Sequence, residues 1–577
     1  MLRLLIFCGV FVSLRAEESV KVVHLDGLGS LSGEKYWDGD FYEFSGVPYA
    51  TVPKGRDKFK APLPVEPWQG LRAANVQNYV CLQVYLTDDD DELILHGEEE
   101  CLTMDLLVPL IASEENPVPV VLYIHSGAFS GGSGNMARYN YLARHDIIVI
   151  SINYRVGALG FACLGTEEIP GNAGLKDQLA ALKWINKHIK SFGGDPNRVT
   201  IAGFSVGATM AELLALSKST DGLIHQLILE SGSALAPFAI NRHPITTANN
   251  IAISIGFNNT GNINDLNEFL LNASALDLAA KSKNFFLTNS TFGFAPCIES
   301  KVPNTEPILT ESPLDILKRG DFKKIPVLTG YSNMEGISRL IKFSDWMDEM
   351  NENFSDFLPA DLLFTDDKAR QTFINQIVKH YFKDEEVSHD TLQEYIDYFS
   401  DSMFKYAIIK SAKFYAEKSD KPVYLYEFSY VGKLNIQYLY MDRIKGASHR
   451  DQTAYVLDFF GFTTRYKDMD TRDQMTTMWS DFVKYTDPTA YESSLINVKW
   501  PKYSADEHNY LEIGNKLKTK KDLFEKRYQF WDRVYSKYYW NPTAQVLQML
   551  FPKELFSNKN KIKIPIFKQI KTYWLVT

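Results

Sequence analysis

The clearest chemistry in the chain sits in Gly203-Phe204-Ser205-Val206-Gly207. A serine hydroxyl is a weak nucleophile until a base takes its proton. Its surroundings decide whether it is held for attack. Residues 199–202 read as a short apolar strand just before it, and residues 208–216 as an apolar, small-residue helix just after. A sharp strand-to-helix turn strains the serine backbone and exposes its Oγ, and flanking glycines let that turn pack closely. The helix N-terminus then points its N–H groups at the substrate. The pentapeptide by itself is also what a tight turn looks like; its flanks favour a nucleophile.

Acyl transfer also needs donors for a developing oxyanion. His125-Ser126-Gly127-Ala128-Phe129 follows directly on the apolar run 120–124. Small residues let the backbone approach a ligand, so the N–H groups of Gly127 and Ala128 can bond an oxyanion, with the N–H of Val206 as third donor. A glycine-rich turn without a ligand is the other reading. His125 is the weaker base candidate, because it precedes this loop and should anchor it.

These residues need a scaffold. Short runs at 120–124, 147–152, 199–202, 227–229 and 325–329 are apolar on both faces, which suits a buried parallel sheet. Leu175, Leu179, Leu182, Ile185 and Ile189 recur every three or four residues, which makes a helical face within 175–192. Residues 193–197 then break the chain before the next strand. Strand, helix, strand predicts an α/β architecture. Residues 421–428 supply a late strand expected to share the same sheet. No linker, internal repeat or low-complexity tract interrupts the chain.

The 577 residues are 45% hydrophobic, ample for a large core, and one big sheet can absorb that length. A net charge of −10 argues against a nucleic-acid partner, which needs a basic face. No CxxC pair exists, so zinc and redox motifs are unsupported and neither a metal nor a cofactor is expected. Residues 1–16 carry one early basic residue, an apolar run and a small residue at Ala16, the pattern of a secretory signal peptide. That run is too short to span a bilayer, no later stretch is long and apolar enough, and the expected location is extracellular. Sequons at Asn258, Asn272, Asn289 and Asn353 fit a secreted glycoprotein. Cys81 and Cys101 could close a short loop in an oxidising compartment, while Cys163 and Cys297 read as buried free thiols. The acidic run 88–92 reads as a solvated loop, and the basic tail 546–577 as a loosely ordered terminus.

Longer motifs fall in one order: FSGVPYA (44–50), FKAP (59–62), PWQG (67–70), EECL (99–102), HSGAF (125–129), NYR (153–155), PGNAGLKDQ (170–178) and FGGDP (192–196). Over about residues 30–540 the chain resembles the type-B carboxylesterase and cholinesterase family of α/β-hydrolases, in detail the insect carboxylesterases. The resemblance implies an α/β-hydrolase fold, a large, mixed, mostly parallel sheet flanked by helices, over residues 17–545. It implies a triad of Ser205 as nucleophile, Glu335 as acid and His449 as base, with Ser231 close by. Without it, Glu335 would be one carboxylate among many and His449 one of eleven histidines. It implies a Cys81–Cys101 disulfide and a buried ion pair between Lys58 and Glu99.

Departures from the family pattern narrow the substrate. Phe204 stands where Glu or Gln usually precedes the nucleophile, Val206 where Ala usually follows it, Ser126 and Ala128 replace glycines, and Arg450 replaces a small residue. No tryptophan lies between Cys81 and Cys101, where cholinesterases hold choline. The expected partner is an uncharged small-molecule ester. The alternative is a catalytically impaired adhesion or ligand-binding relative, weighed because the elbow and oxyanion residues are altered.

Overall fold

The apolar runs form the middle of one large sheet. The structure, a computed structural model, describes residues 19–86, 93–282, 287–436, 444–459, 465–522 and 525–544. The expected signal peptide 1–16, the acidic run 88–92 and the tail 546–577 lie outside the described residues. In chain order the strands on the main path of this sheet are β1 (Val20–Leu25), β2 (Gly29–Lys35), β3 (Phe41–Pro48), β4 (Thr103–Pro109), β5 (Val118–Ile124) and β6 (Ile148–Ile152). Then come β7 (Gly194–Phe204), β8 (Gln226–Glu230), β9 (Val327–Ser332), β10 (Val423–Phe428), β11 (Tyr510–Ile513) and β12 (Leu517–Lys520). Across the sheet their order is β1-β2-β3-β4-β6-β5-β7-β8-β9-β10-β11-β12. β6 through β11 run parallel. β1 to β4 at one edge and β12 at the other are antiparallel.

The order reverses at β5. From there the chain steps to β6 on one side and crosses back to β7 on the other. Carboxyl ends of parallel strands at such a reversal leave a crevice for a ligand.

β5 shows why these runs are continuously apolar. Val120, Leu122 and Ile124 pack into one core layer, while Val121 and Tyr123 pack into another. Both faces are covered, so alternation with polar residues would leave unpaired groups inside. Each aliphatic side chain fully buried this way contributes about 1.5–3 kcal/mol. On the first face lie α1 (Ala173–His188) and α2 (Val206–Leu216). Leu175, Leu179, Leu182 and Ile185 of α1 are buried, as the spacing predicts. α1 passes into a 3₁₀ turn, Ile189–Phe192, and stops at Gly193, whose φ of 86° suits glycine. A Cβ at Gly193 would strike the backbone of Ala112 and Ser113. The expected break is shorter than 193–197, because β7 already begins at Gly194; its register shifts between Gly194 and Val199, around Pro196. Helices α3 (Leu392–Ser400) and α4 (Tyr406–Lys418) pack into the first layer, and α5 (Tyr466–Tyr485) covers the second with Met475, Met478, Trp479 and Phe482.

Polar ties fasten the motifs to this frame. Arg155 grips Asp177 with Nε at 2.8 Å and Nη2 at 2.6 Å, and Lys176 pairs with Glu299 at 2.7 Å, all buried. Such forked geometry satisfies both charges out of water. The expected Lys58–Glu99 ion pair does not form. Lys58 Nζ donates to the carbonyls of Leu271 (2.7 Å) and Gly55 (3.2 Å), and Glu99 is exposed. Burial pushes the Lys58 ammonium down to about 8.

Cys81 and Cys101 are bridged. Cys163 and Cys297 are not free thiols; they form a second bridge across a separation of 134 residues. Gly171, at φ 102°, makes room for it, since a Cβ there would lie 2.6 Å from both sulfurs. Closing so long a loop restricts the unfolded chain, so replacing both Cys163 and Cys297 by Ala should lower stability by about 2–4 kcal/mol. Urea unfolding checks this, and an unchanged midpoint would refute the bridge's contribution.

Candidate active site

Ser205 is the residue between β7 and α2, held at φ 55° and ψ −122°. Three glycines permit this. A Cβ on Gly203 would collide with Gly207, one on Gly207 with the Ile124 carbonyl, and one on Gly232 with the Ser205 carbonyl. The Ser205 N–H donates to the carbonyl of Glu230 on β8 at 2.8 Å, which fixes the turn to the sheet.

His449 and Glu335 meet Ser205 from distant loops. His449 Nε2 stands 2.9 Å from Ser205 Oγ, and its Nδ1 stands 2.6 Å from Glu335 Oε2. The carboxyl group of Glu335 accepts from Nδ1–H, and Nε2 faces the Ser205 hydroxyl. Glu335 is fully buried and lies three residues past β9. Its other oxygen accepts from the Ser332 N–H at 2.8 Å and from the Ser231 hydroxyl. Gln452 donates in turn to Ser231 and accepts from the Ser332 hydroxyl. Both oxygens of the buried acid are thus engaged, which keeps one of them aimed at the imidazole.

The histidine loop is tied to the acid turn. Ala447 N–H donates to Asn333 Oδ1 at 2.8 Å, and Met334 N–H to the Ala447 carbonyl at 3.0 Å. Asp451 braces the loop from behind, accepting from Ser448 N–H (2.6 Å), Ile436 N–H (2.7 Å) and Asn435 Nδ2 (2.9 Å). Arg450, between them, sits at φ 84° with its guanidinium 4.4 Å from the Phe459 ring.

Gly127, Ala128 and Phe129 form the loop at the end of β5, at φ 131°, 52° and 62°. Ser130 and Gly131 N–H groups both donate to the Gly127 carbonyl at 3.0 Å, turning that oxygen back into the loop. Gln83 clamps it from outside, with Oε1 accepting from Gly132 N–H (2.7 Å) and Nε2 donating to the Gly132 carbonyl (2.9 Å). Val206 is the first residue of α2, so its N–H has no acceptor within the helix. His125 is buried and stacked on Tyr154 at 4.1 Å, with Nδ1 2.7 Å from the Ser126 carbonyl. Burial pushes its imidazole down to about 4, so it stays neutral and structural.

Phe204 lies against the His449 ring at 4.6 Å. Of the sequon asparagines, Asn258, Asn272 and Asn353 are exposed and Asn289 is half-buried. Among the described residues no cluster of three or more His, Cys, Asp or Glu could hold a metal ion, and no helix is long and apolar enough to cross a membrane. Gln452 and Asn333 belong to the site but carry no sequence motif of their own.

A serine, an imidazole and a carboxylate in line at the carboxyl ends of a parallel sheet define an α/β-hydrolase. The profile described as "Carboxylesterase family" matches residues 19–531. Esterase FE4 of Myzus persicae is 32% identical over 549 residues, covering 92% of this chain and 94% of FE4. Juvenile hormone esterase of Heliothis virescens is 30% identical over 505 residues, covering 83% of this chain and 88% of its own. Among solved structures, juvenile hormone esterase from Manduca sexta with OTFP covalently attached has a TM-score of 0.77 at 28% identity, covering 90% of this chain and all 100% of that one. The chain belongs to the carboxylesterase family and is a carboxylic ester hydrolase.

Glu230, directly behind Ser205, supplies a pH test. Its buried carboxyl takes Trp479 Nε1–H at 2.8 Å, Thr453 Oγ1 at 3.2 Å and Tyr123 OH at 3.3 Å. Burial raises it from 4.5 to about 7. The folded state therefore holds this proton more tightly than the unfolded chain. The stabilisation is complete below about pH 4.5 and disappears as pH rises through about 7. Glu230→Gln should remove that component. Its stability relative to the parent should rise by roughly 3 kcal/mol between pH 4.5 and 7.5, as read by chemical denaturation at each pH. A flat difference would refute it.

Proposed function

We propose that this protein is a secreted serine carboxylesterase that hydrolyses uncharged carboxylic esters through an acyl-enzyme on Ser205. The observation that carries the reading is the unbroken line from Glu335 through His449 to Ser205. In the first half-reaction His449 Nε2 takes the Ser205 proton as Oγ attacks the ester carbonyl. The N–H groups of Gly127, Ala128 and Val206 stabilise the oxyanion of the tetrahedral intermediate. Collapse breaks the bond to the alcohol oxygen, which leaves with the proton from His449. Water, deprotonated by His449, then attacks the acyl-enzyme, releasing the acid and restoring Ser205. Glu335 fixes the imidazole tautomer and stabilises the imidazolium in both halves.

An uncharged substrate is supported by what faces the base. Phe204 and Phe404 rings lie 4.6 and 4.4 Å from His449, and Phe238 lies 5.7 Å from Phe404. Rings of this kind favour apolar acyl or alcohol groups. Export is supported by residues 1–16, by two disulfides and by three exposed sequons. An impaired adhesion relative would have no need of an intact nucleophile, base and acid in hydrogen-bonding reach.

An organophosphate should label the pure protein stoichiometrically at Ser205. Ser205→Ala should abolish labelling and reduce p-nitrophenyl acetate turnover by at least about 10³-fold. Turnover that survives Ser205→Ala, or no labelling and no turnover in the parent, would overturn the reading. For export, mass spectrometry of protein secreted from insect cells should find an N-terminus at Glu17 and glycans on Asn258, Asn272 and Asn353. Retention in the cells with residues 1–16 uncleaved would refute export.

A further inference from the structure

Helices α3 and α4 are joined without a break by a π-helical turn, Asp401–Lys405. A π turn holds an extra residue, and such turns cluster at functional sites. Here the turn and the residue before it reach the acid turn and the histidine. Ser400 Oγ accepts from the Gly336 N–H at 2.8 Å. Met403 Sδ accepts from Arg339 Nε at 3.2 Å. Lys405 Nζ donates to the Asn333 carbonyl at 2.6 Å. Phe404, between them, places its ring centroid 4.4 Å from the His449 imidazole, tilted by 31°. The far side of the turn is anchored. Asp401 accepts from Tyr381 OH at 2.7 Å and pairs with Arg527 Nε at 3.2 Å. Phe404 is itself backed by Phe238 at 5.7 Å.

We propose that Phe404, delivered by this π turn, is a positioning residue that sets the tilt of the His449 ring in concert with Phe204. The need for it is geometric. The bond from Nδ1–H to Glu335 fixes the distance and one direction of the imidazole, yet the ring can still pivot about that bond. Pivoting swings Nε2 away from Ser205 Oγ. An imidazole with phenyl rings at 4.4 and 4.6 Å loses that freedom by close contact. Catalytic groups must be held within roughly 0.5 Å and 10–20° of productive geometry. Gly336 belongs to the same device, since a Cβ there would strike the Ile396 carbonyl of α3 and push the helix off the acid turn.

The inference rests on His449 acting as the base toward Ser205. Phe404→Leu keeps an apolar side chain but deletes the ring, and Phe404→Tyr keeps the ring. With p-nitrophenyl acetate, Phe404→Leu should lower kcat at least about 10-fold while KM stays within about twofold, because a misaligned base slows chemistry more than binding. Phe404→Tyr should restore kcat to within about threefold of the parent, since the stacking surface is kept. The low-field proton resonance of the His449 Nδ1–H, sharp in the parent and in Phe404→Tyr, should broaden in Phe404→Leu. If Phe404→Leu does not fold, Phe404→Met and Phe404→Tyr read the same contrast. Unchanged kcat in the ring-deleted variant, equal loss in the ring-bearing one, or a loss carried by KM would overturn the positioning role. Ser205→Ala separates the two levels. If it stays active the triad reading itself fails; if it is inactive and Phe404→Leu is fully active, only this inference fails.

Discussion

The site depends on a backbone conformation that an L-amino acid disfavours. Ser205 at φ 55°, ψ −122° costs about 1–3 kcal/mol and persists only where the surroundings leave no alternative. Here β7 arrives in register with β8, the Ser205 N–H is committed to the Glu230 carbonyl, and α2 departs at once. Three glycines supply the space, so the bend can be tight enough to put Oγ forward. Ser231, at φ 51° on the end of β8, repeats the device beside it and aims its hydroxyl at Glu335. Strain is thus concentrated at the tips of two neighbouring parallel strands, where the well-packed sheet beneath can hold it.

That localisation explains how groups so far apart in sequence can meet within a hydrogen bond. Ser205 and His449 are 244 residues apart, Glu335 and His449 114 apart. Each is carried on a connection leaving the same edge of the sheet. Ser205 and Glu335 need little more than their strands. The histidine needs more, because it stands well beyond the end of β10. Stitches to Asn333 and Met334, the Asp451 brace and the Phe404 ring substitute for the strand that the other two have.

How much of this is legible in the sequence follows from the range of each interaction. Strands, the α1 face and the elbow are read from neighbours within a few residues, and they stand where the apolar runs and the Gly-x-Ser-x-Gly spacing put them. Glu335 and His449 are invisible to local pattern and could be picked out only by resemblance. Gln452, Asn333 and Phe404 have no local signal. A phenylalanine in an apolar helix reads as core, and only the extra residue of a π turn aims this one at an imidazole. The Cys163–Cys297 bridge was missed because pairing across 134 residues depends on the fold, with apolar flanks that also suit a free thiol. Lys58 failed as an ion-pair member for a chemical reason. An ammonium is satisfied by carbonyls pointing at it, and two were nearer than Glu99.

The loop after β5 shows how backbone strain is held in place by its surroundings. Ala128 and Phe129 both occupy positive φ, where a side chain adds strain that glycine avoids. The donors of the proposed mechanism, however, are backbone N–H groups, and a methyl at Ala128 would leave their chemistry intact. Gln83 holds the loop from the Cys81–Cys101 side, and Gly157 N–H donates to the Phe129 carbonyl at 2.7 Å from the other. With both flanks fixed, the loop cannot relax to the conformation its residues would prefer. In the proposed mechanism such strain serves as preorganisation: the donors would stay in place before charge develops, with little rearrangement left for the moment of reaction.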